Sequence, residues 1–346
     1  MEDKLSSLIV NKNIKTISII GMAKNTGKTV TLNQLIEELY LKGYKLGLLS
    51  YGRDGESIDL ITGKKKPPVK VYPGSFFVTA SRALKGSELH FKKIAETDIS
   101  STMGQVNLYQ AQGEGEVQLV GINRLSQLMY IKDQLINRVD YLLIDGALDR
   151  RSSALPRISG AVVLATGAVI GKDLEDVMAK TKYEVQKLNM PTLNNYDDLI
   201  FIQKFEQDKE SILWTAEDEI VRFKTPTSLL LLNEIQDYLA QSEKGVKYIF
   251  VNGAFTNTIS RRIINLNLDD LTVLIPDATK LFIDKMEYAR LVKNNISLKV
   301  LYPLNLIALT INPYNPEGKS LDDDEFLDNI KRHFDIPVFN VKSREY

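Results

Sequence analysis

Seven apolar, β-branched runs recur along the chain. They are "TISII" ending at Ile20, "KLGLLS" at Ser50, "VDYLLID" at Asp145, "GAVVLAT" at Thr166, "KYIFVN" at Asn252, "LTVLI" at Ile275 and "LNLIALTIN" at Asn312. Most are continuously apolar rather than alternating, which predicts strands covered on both faces. Helical spacing lies between them. Val30, Leu32, Leu35, Ile36 and Leu39 fall on one face of a helix that Gly43 can end, and Lys172–Leu188 and Thr227–Gln241 read as helices, the first closed by Met190-Pro191. This alternation predicts an α/β protein with a mostly parallel, doubly wound sheet. Between Gly104 and Ile122 the pattern alternates around Gly-Glu-Gly and predicts an inserted antiparallel hairpin. Residues 194–219 read as a polar stretch. A boundary at Pro191 divides residues 1–190 from a second α/β portion, 191–346, whose strands can extend the same sheet.

Composition narrows the chemistry. Lys+Arg and Asp+Glu each number 44 in 346 residues, so no net field draws nucleic acid or an anionic membrane, and any anion must be held by a local site. The chain has no cysteine, which excludes disulfides, thiolate nucleophiles, Cys-ligated zinc and iron–sulfur clusters. Its two histidines, His90 and His333, are far apart and read as solvated or hydrogen-bonded residues. The first residues lack the apolar core of a signal peptide, and no run approaches the ~18 residues of a membrane helix, so the cytoplasm is the expected compartment. "GKKKPP", Gly63–Pro68, reads as a basic turn.

The junction of the first strand and first helix reads "GMAKNTGKTV". Amides of a tight turn and of a helix start converge there, and the positive helix end favours an oxyanion. Gly21, Lys24, Asn25, Thr26, Gly27, Lys28, Thr29 and Val30 are the candidate nucleotide contacts. Gly27 admits close approach to phosphate, Lys28 reaches the β- and γ-phosphates, and Thr29 offers its hydroxyl to Mg²⁺. Five residues rather than four separate Gly21 from Gly27, leaving Met22 where the first glycine of the common loop stands.

A magnesium–nucleotide site needs a carboxylate at a neighbouring strand end. Asp145 in "YLLIDGALDR" is that candidate. Arg53 and Asp54 in "GRDGES" emerge at the same carboxyl edge, where open α/β sheets bind ligands. Arg53 can neutralise phosphate, and Asp54 can position the attacking water or a metal-bound water. Asp149, Arg150 and Arg151 admit two readings, a phosphate or partner contact and a charged loop. Thr79, Ser81 and Thr166 are hydroxyl candidates for phosphate, with helix capping as the alternative. "NGAFT" (252–256), "IPDAT" (275–279) and "INPYNP" (311–316) follow late strands and are candidate base or partner surfaces. The Asn-Lys-x-Asp guanine reader is absent, which favours ATP over GTP.

The loop spacing resembles the P-loop NTPases of the SIMIBI class, which includes dethiobiotin synthetase and the cobyrinic acid a,c-diamide synthases. Lys24 then resembles the extra lysine with which members reach a partner's nucleotide, one place nearer Gly27, and the resemblance implies a possible homodimer. "GMAKNTGKTVTLN", "GRDGES", "LIDGALDRRSSA" and "VVLATGAVIGKDL" together resemble the KamB family, the reactivase subunit of lysine 5,6-aminomutase encoded with lysine-fermentation enzymes. That resemblance spans the first half of the chain in motifs. It implies an ATP- and Mg²⁺-dependent accessory protein that helps exchange inactivated cobalamin on an adenosylcobalamin-dependent aminomutase, beside a MutS-like ATPase subunit. In the role-by-role reading Lys28, Asp54 and Asp145 are catalytic, and Thr29, Asp54 and Asp145 hold the metal. Two other functions fit the loop: a carboxylate-activating ligase of the dethiobiotin synthetase type, and a non-enzymatic module with a degenerate pocket.

Overall fold

The computed structural model describes residues 4–52, 68–146, 157–225, 227–242, 244–316 and 318–341. Arg53, Asp54, most of the Gly63–Pro68 turn and Asp149–Arg151 lie outside the described residues. In chain order the elements begin with α1 (Leu5–Asn11), β1 (Thr16–Gly21), α2 (Lys28–Leu41), β2 (Leu46–Tyr51), β3 (Val69–Val71), β4 (Phe76–Ala80), β5 (Phe91–Ser101), β6 (Gly104–Ala111) and β7 (Gly115–Val117). Next come α3 (Leu125–Leu135), β8 (Tyr141–Gly146), β9 (Ala161–Gly167), α4 (Leu174–Leu188), α5 (Tyr196–Gln207), β10 (Ser211–Thr215), β11 (Ile220–Phe223), α6 (Ser228–Leu239) and β12 (Val246–Phe250). The chain closes with β13 (Phe255–Thr256), α7 (Asn257–Ile264), β14 (Thr272–Ile275), β15 (Leu281–Phe282), α8 (Lys285–Lys293), β16 (Ser297–Val300), β17 (Leu306–Asn312), α9 (Asp323–His333) and β18 (Val338–Asn340). Among the described residues no helix is long and apolar enough to cross a membrane.

Two compact units result: Met1–Lys182 with Asn305–Tyr346, and Tyr183–Leu304. The first is built on a nine-stranded sheet ordered β18-β17-β9-β1-β8-β2-β4-β6-β5. From β18 to β4 every neighbour is parallel, and β6 and β5 are antiparallel. Strands β8, β9 and β17 are buried along their whole length, as their unbroken apolar runs require. Leu32, Leu35, Ile36 and Leu39 of α2 pack with Ile17, Ile19 and Leu143 on one side. Leu128, Ile131 and Leu135 of α3 pack with Leu49, Leu142 and Ile144 in a separate cluster. Each such side chain contributes roughly 1.5–3 kcal/mol by leaving water, so α2 and α3 are anchored by burial rather than by propensity.

The hairpin expected around Gly-Glu-Gly is corrected. Strand β6 pairs with β5 across a turn at Thr102-Met103, and β7 pairs instead with β3. Lys92, Lys93, Glu96 and Asp98 are exposed on β5 and obscure its strand pattern. Charges and register shifts on an edge strand discourage pairing with other chains. The stretch 194–219 is also more ordered than its polarity suggests. Asn195 caps α5 by accepting from the amides of Asp197 and Asp198 at 3.0 and 3.2 Å, and Ser211–Thr215 is a fully buried strand.

The second unit carries a five-stranded sheet, β11-β10-β12-β14-β16, with β12, β14 and β16 parallel and β10 antiparallel to both neighbours. Strands β17 and β18 belong to the larger sheet, so the chain leaves the first unit within α4, before Pro191, and returns at Asn305. Asp277, 3% exposed, accepts from the Thr279 amide at 2.8 Å. Burial outweighs the hydrogen bonds from Thr279 and the nearby Lys280 charge and, with a small addition from Glu206, pushes the carboxyl above its ordinary value of 3.8. A raised folded value makes this group's stability contribution complete below the unfolded value and lost as pH rises through the folded one. Asp277→Asn keeps the acceptor and is expected to raise the melting temperature at neutral pH, with the gain over the parent closing as pH approaches ~4; thermal melts across that range check it.

Candidate functional site

The residues between β1 and α2 form a sharply folded loop. Met22 continues the strand by donating to the Ala165 carbonyl at 2.9 Å. Beyond it, Asn25 (φ 62°) and Gly27 (φ 84°) are left-handed, with right-handed helix beginning at Lys28. A left-handed residue followed by a right-handed one is the backbone unit of an anion-binding nest, and Gly27 followed by helical Lys28 supplies one such step. Thr26 is buried and its Oγ1 donates to the Ala23 carbonyl at 3.0 Å. A Cβ on Gly21 would lie 2.7 Å from that hydroxyl oxygen, so the loop folds back where only glycine fits.

Helix α2 begins at Gly27, which supplies no side-chain cap. In contrast, α5, α6, α7, α8 and α9 are capped by Asn195, Thr227, Thr256, Asp284 and Asp322. The first-turn amides of α2, like those of the shorter α1, are therefore not taken up by a side-chain cap. Thr29 is buried in that turn, Val30 is half-buried, and Lys24 and Asn25 are exposed.

Parallel pairing sets Asp145 of β8 beside Ile19 of β1, at the carboxyl end next to the loop. Asp145 is fully buried, and Lys28 Nζ lies 2.7 Å from its Oδ1. The same ammonium donates to the Gly146 carbonyl. Thus the lysine and aspartate expected to act together are brought together from residues more than a hundred positions apart. Ser50 of β2 donates to the Asp145 carbonyl at 3.3 Å and fixes the strand end from the other side.

Strand β17 supplies a second support. Asn312 Nδ2 donates to the Asn25 carbonyl at 2.9 Å, and its Oδ1 accepts from the Tyr314 amide at 3.2 Å. A Cβ on Gly27 would stand 2.9 Å from the Asn312 Cβ. One strand position earlier but one, Thr310 shares a 2.8 Å hydroxyl hydrogen bond with Thr31, which also donates to the Gly27 carbonyl at 3.0 Å. Asn312 thereby satisfies the carbonyl of left-handed Asn25. The stretch expected to line a base or partner surface thus tethers the loop through its first asparagine. Thr31 and Thr310 had no motif to mark them. The isosteric change Asn312→Asp removes the donor to the Asn25 carbonyl while keeping the volume, and is expected to destabilise the chain by about 1–3 kcal/mol, as read by urea denaturation.

The other candidates have jobs elsewhere. Thr79 Oγ1 donates to the Gln118 carbonyl at 2.6 Å and accepts from the Val120 amide at 3.3 Å. Thr166 and Thr181 hydroxyls, both buried, lie 2.8 Å apart and tie β9 to α4. Ser81 is exposed in a short 3-10 turn. In the second unit Asn252 Nδ2 donates to the Glu206 and Glu210 carbonyls at 3.2 and 3.3 Å, Thr256 caps α7, and Asp277 caps the turn after β14.

Chemically, the region offers the uncapped first-turn amides of α2, the Lys28 ammonium, the buried carboxylate of Asp145 at the end of β8 and the hydroxyl residue Thr29. Hard oxygen donors with few carboxylates match Mg²⁺, which keeps waters and takes phosphate oxygens. Among the described residues no three His, Cys, Asp or Glu side chains cluster to hold a metal by themselves. Comparison with known proteins finds no matching family model and no matching curated protein.

Proposed function

We propose that this chain is a P-loop nucleoside triphosphatase whose β1–α2 loop holds the phosphates of Mg-ATP. The observation that carries the reading is the pairing of Lys28 with buried Asp145 at 2.7 Å beside a loop with left-handed Asn25 and Gly27. In this reading the loop amides and Lys28 bind the β- and γ-phosphates, and Thr29 and Asp145 hold Mg²⁺. The metal would supply charge neutralisation on the phosphates. Asp54 and Arg53 are assigned from sequence to water positioning and phosphate neutralisation. The particular role proposed is that of a reactivase subunit of the KamB type, a nucleotide-switched accessory ATPase acting with a MutS-like ATPase subunit on an adenosylcobalamin-dependent aminomutase. Its support is the four sequence blocks quoted above.

The five-residue spacing between Gly21 and Gly27 also favours a second reading, a ligase that phosphorylates a carboxylate and lets an amine close on it. Steady-state phosphate release separates the two. A slow ATPase accelerated by the aminomutase complex supports the accessory role, and turnover dependent only on a small carboxylic acid and amine overturns it in favour of the ligase.

A further inference from the structure

The ion pair at the centre of the site has a consequence for metal entry, and it rests on the nucleotide-site reading above. Asp145 presents the carboxylate that a divalent cation would need, yet Lys28 Nζ sits 2.7 Å from its Oδ1 and also donates to the Gly146 carbonyl. The carboxylate is fully buried, and the lysine side chain is 16% exposed. A dication on the same carboxylate would face the ammonium at short range in a weakly screened setting, where like-charge repulsion is strong. Phosphate removes the conflict. Its oxygens offer the ammonium a new set of acceptors in the loop and bring negative charge to share with the metal.

We infer that Lys28 guards the metal position: its ammonium holds Asp145 against free divalent cations, so Mg²⁺ enters only together with phosphate. The guard is geometric, since β8 delivers Asp145 and Gly146 to one nitrogen whose length and origin are fixed by the first turn of α2. It assigns Lys28 a task before any chemistry, as the group that imposes an order on binding.

The test titrates the full chain with Mn²⁺, read by electron paramagnetic resonance, with and without inorganic triphosphate and corrected for manganese–triphosphate complex in solution. Without triphosphate, Asp145→Asn is expected to leave Mn²⁺ binding unchanged, because the lysine already closes that position. With triphosphate, the same substitution is expected to lower protein-bound Mn²⁺ at least tenfold. Lys28→Met is expected to bind Mn²⁺ alone at least tenfold more tightly than the parent, and Lys28→Met/Asp145→Asn to lose that gain. The inference is overturned if Asp145→Asn reduces binding of Mn²⁺ alone, or if folded Lys28→Met gains no affinity. Should Lys28→Met fail to fold, the Asp145→Asn comparison decides alone. Calorimetry with Mg-ATP keeps the two claims apart. A chain that ignores Mg-ATP but opens to Mn²⁺ in Lys28→Met loses the proposed function and keeps only the exclusion of free metal by Lys28, and a chain that binds Mg-ATP without that opening loses the guard alone.

Discussion

Lys28→Ala is expected to do two things at once: weaken Mg-ATP binding by more than tenfold and destabilise the nucleotide-free protein. The first follows from losing a charge-assisted contact to phosphate, worth ~1.5–3 kcal/mol, or roughly 10- to 150-fold. The second follows because fully buried Asp145 would lose its ammonium partner at 2.7 Å. Removing the ammonium partner of a buried carboxylate costs up to about 3 kcal/mol. The two effects separate in the double variant Lys28→Ala/Asp145→Asn, where the buried charge is removed. Urea denaturation should then show much of the stability returning, while calorimetry still shows weak nucleotide binding. If the double variant binds Mg-ATP like the parent, the phosphate role of Lys28 is wrong. If the single variant is as stable as the parent, the pair is not what holds Asp145.

Gly27→Val is the other large effect expected. Gly27 has φ 84°, where a side chain costs ~1–2 kcal/mol and a β-branched one more. The added Cβ would also lie 2.9 Å from the Asn312 Cβ and 3.2 Å from Val341 Cγ2, so the clash falls on the tether of the loop. A total cost of roughly 3 kcal/mol is expected, with nucleotide affinity reduced about a hundredfold because the loop and the start of α2 shift together. Gly43→Ala is the control. Gly43 has φ 85° but nothing within 4 Å of an added Cβ, so it should cost ~1 kcal/mol and leave nucleotide affinity unchanged. Equal affinity losses for the two would show that the loop's shape is irrelevant to binding.

Much of the frame was legible because its strands are buried on both faces. "DYLLID" and "GAVVLAT" have no polar alternation to confuse them, and they became β8 and β9. The loop was legible for the opposite reason: its chemistry is local, with glycine, lysine and threonine adjacent and a strand and helix on either side. Strand β5 was hidden because an edge needs charges that erase the apolar pattern. The inserted unit was hidden because Met190-Pro191 punctuates a turn after α4, whereas the chain leaves the first unit inside that helix, where no residue type marks the change. The link from Asn312 to Asn25 spans 287 positions and depends on β17 returning to the first sheet, which no local pattern encodes. Asp145 was readable as a candidate, but its pairing with Lys28 needed the register of β1 against β8.

The reading of the whole chain depends on whether the loop between β1 and α2 grips a triphosphate with its metal. Isothermal titration of ATP into the full chain, with Mg²⁺ present and with it chelated, addresses this most directly. The expected result is one saturable site per chain that tightens when Mg²⁺ is present and is weakened about a hundredfold in Gly27→Val. Absence of binding at millimolar Mg-ATP, or binding that Gly27→Val leaves untouched, would contradict it.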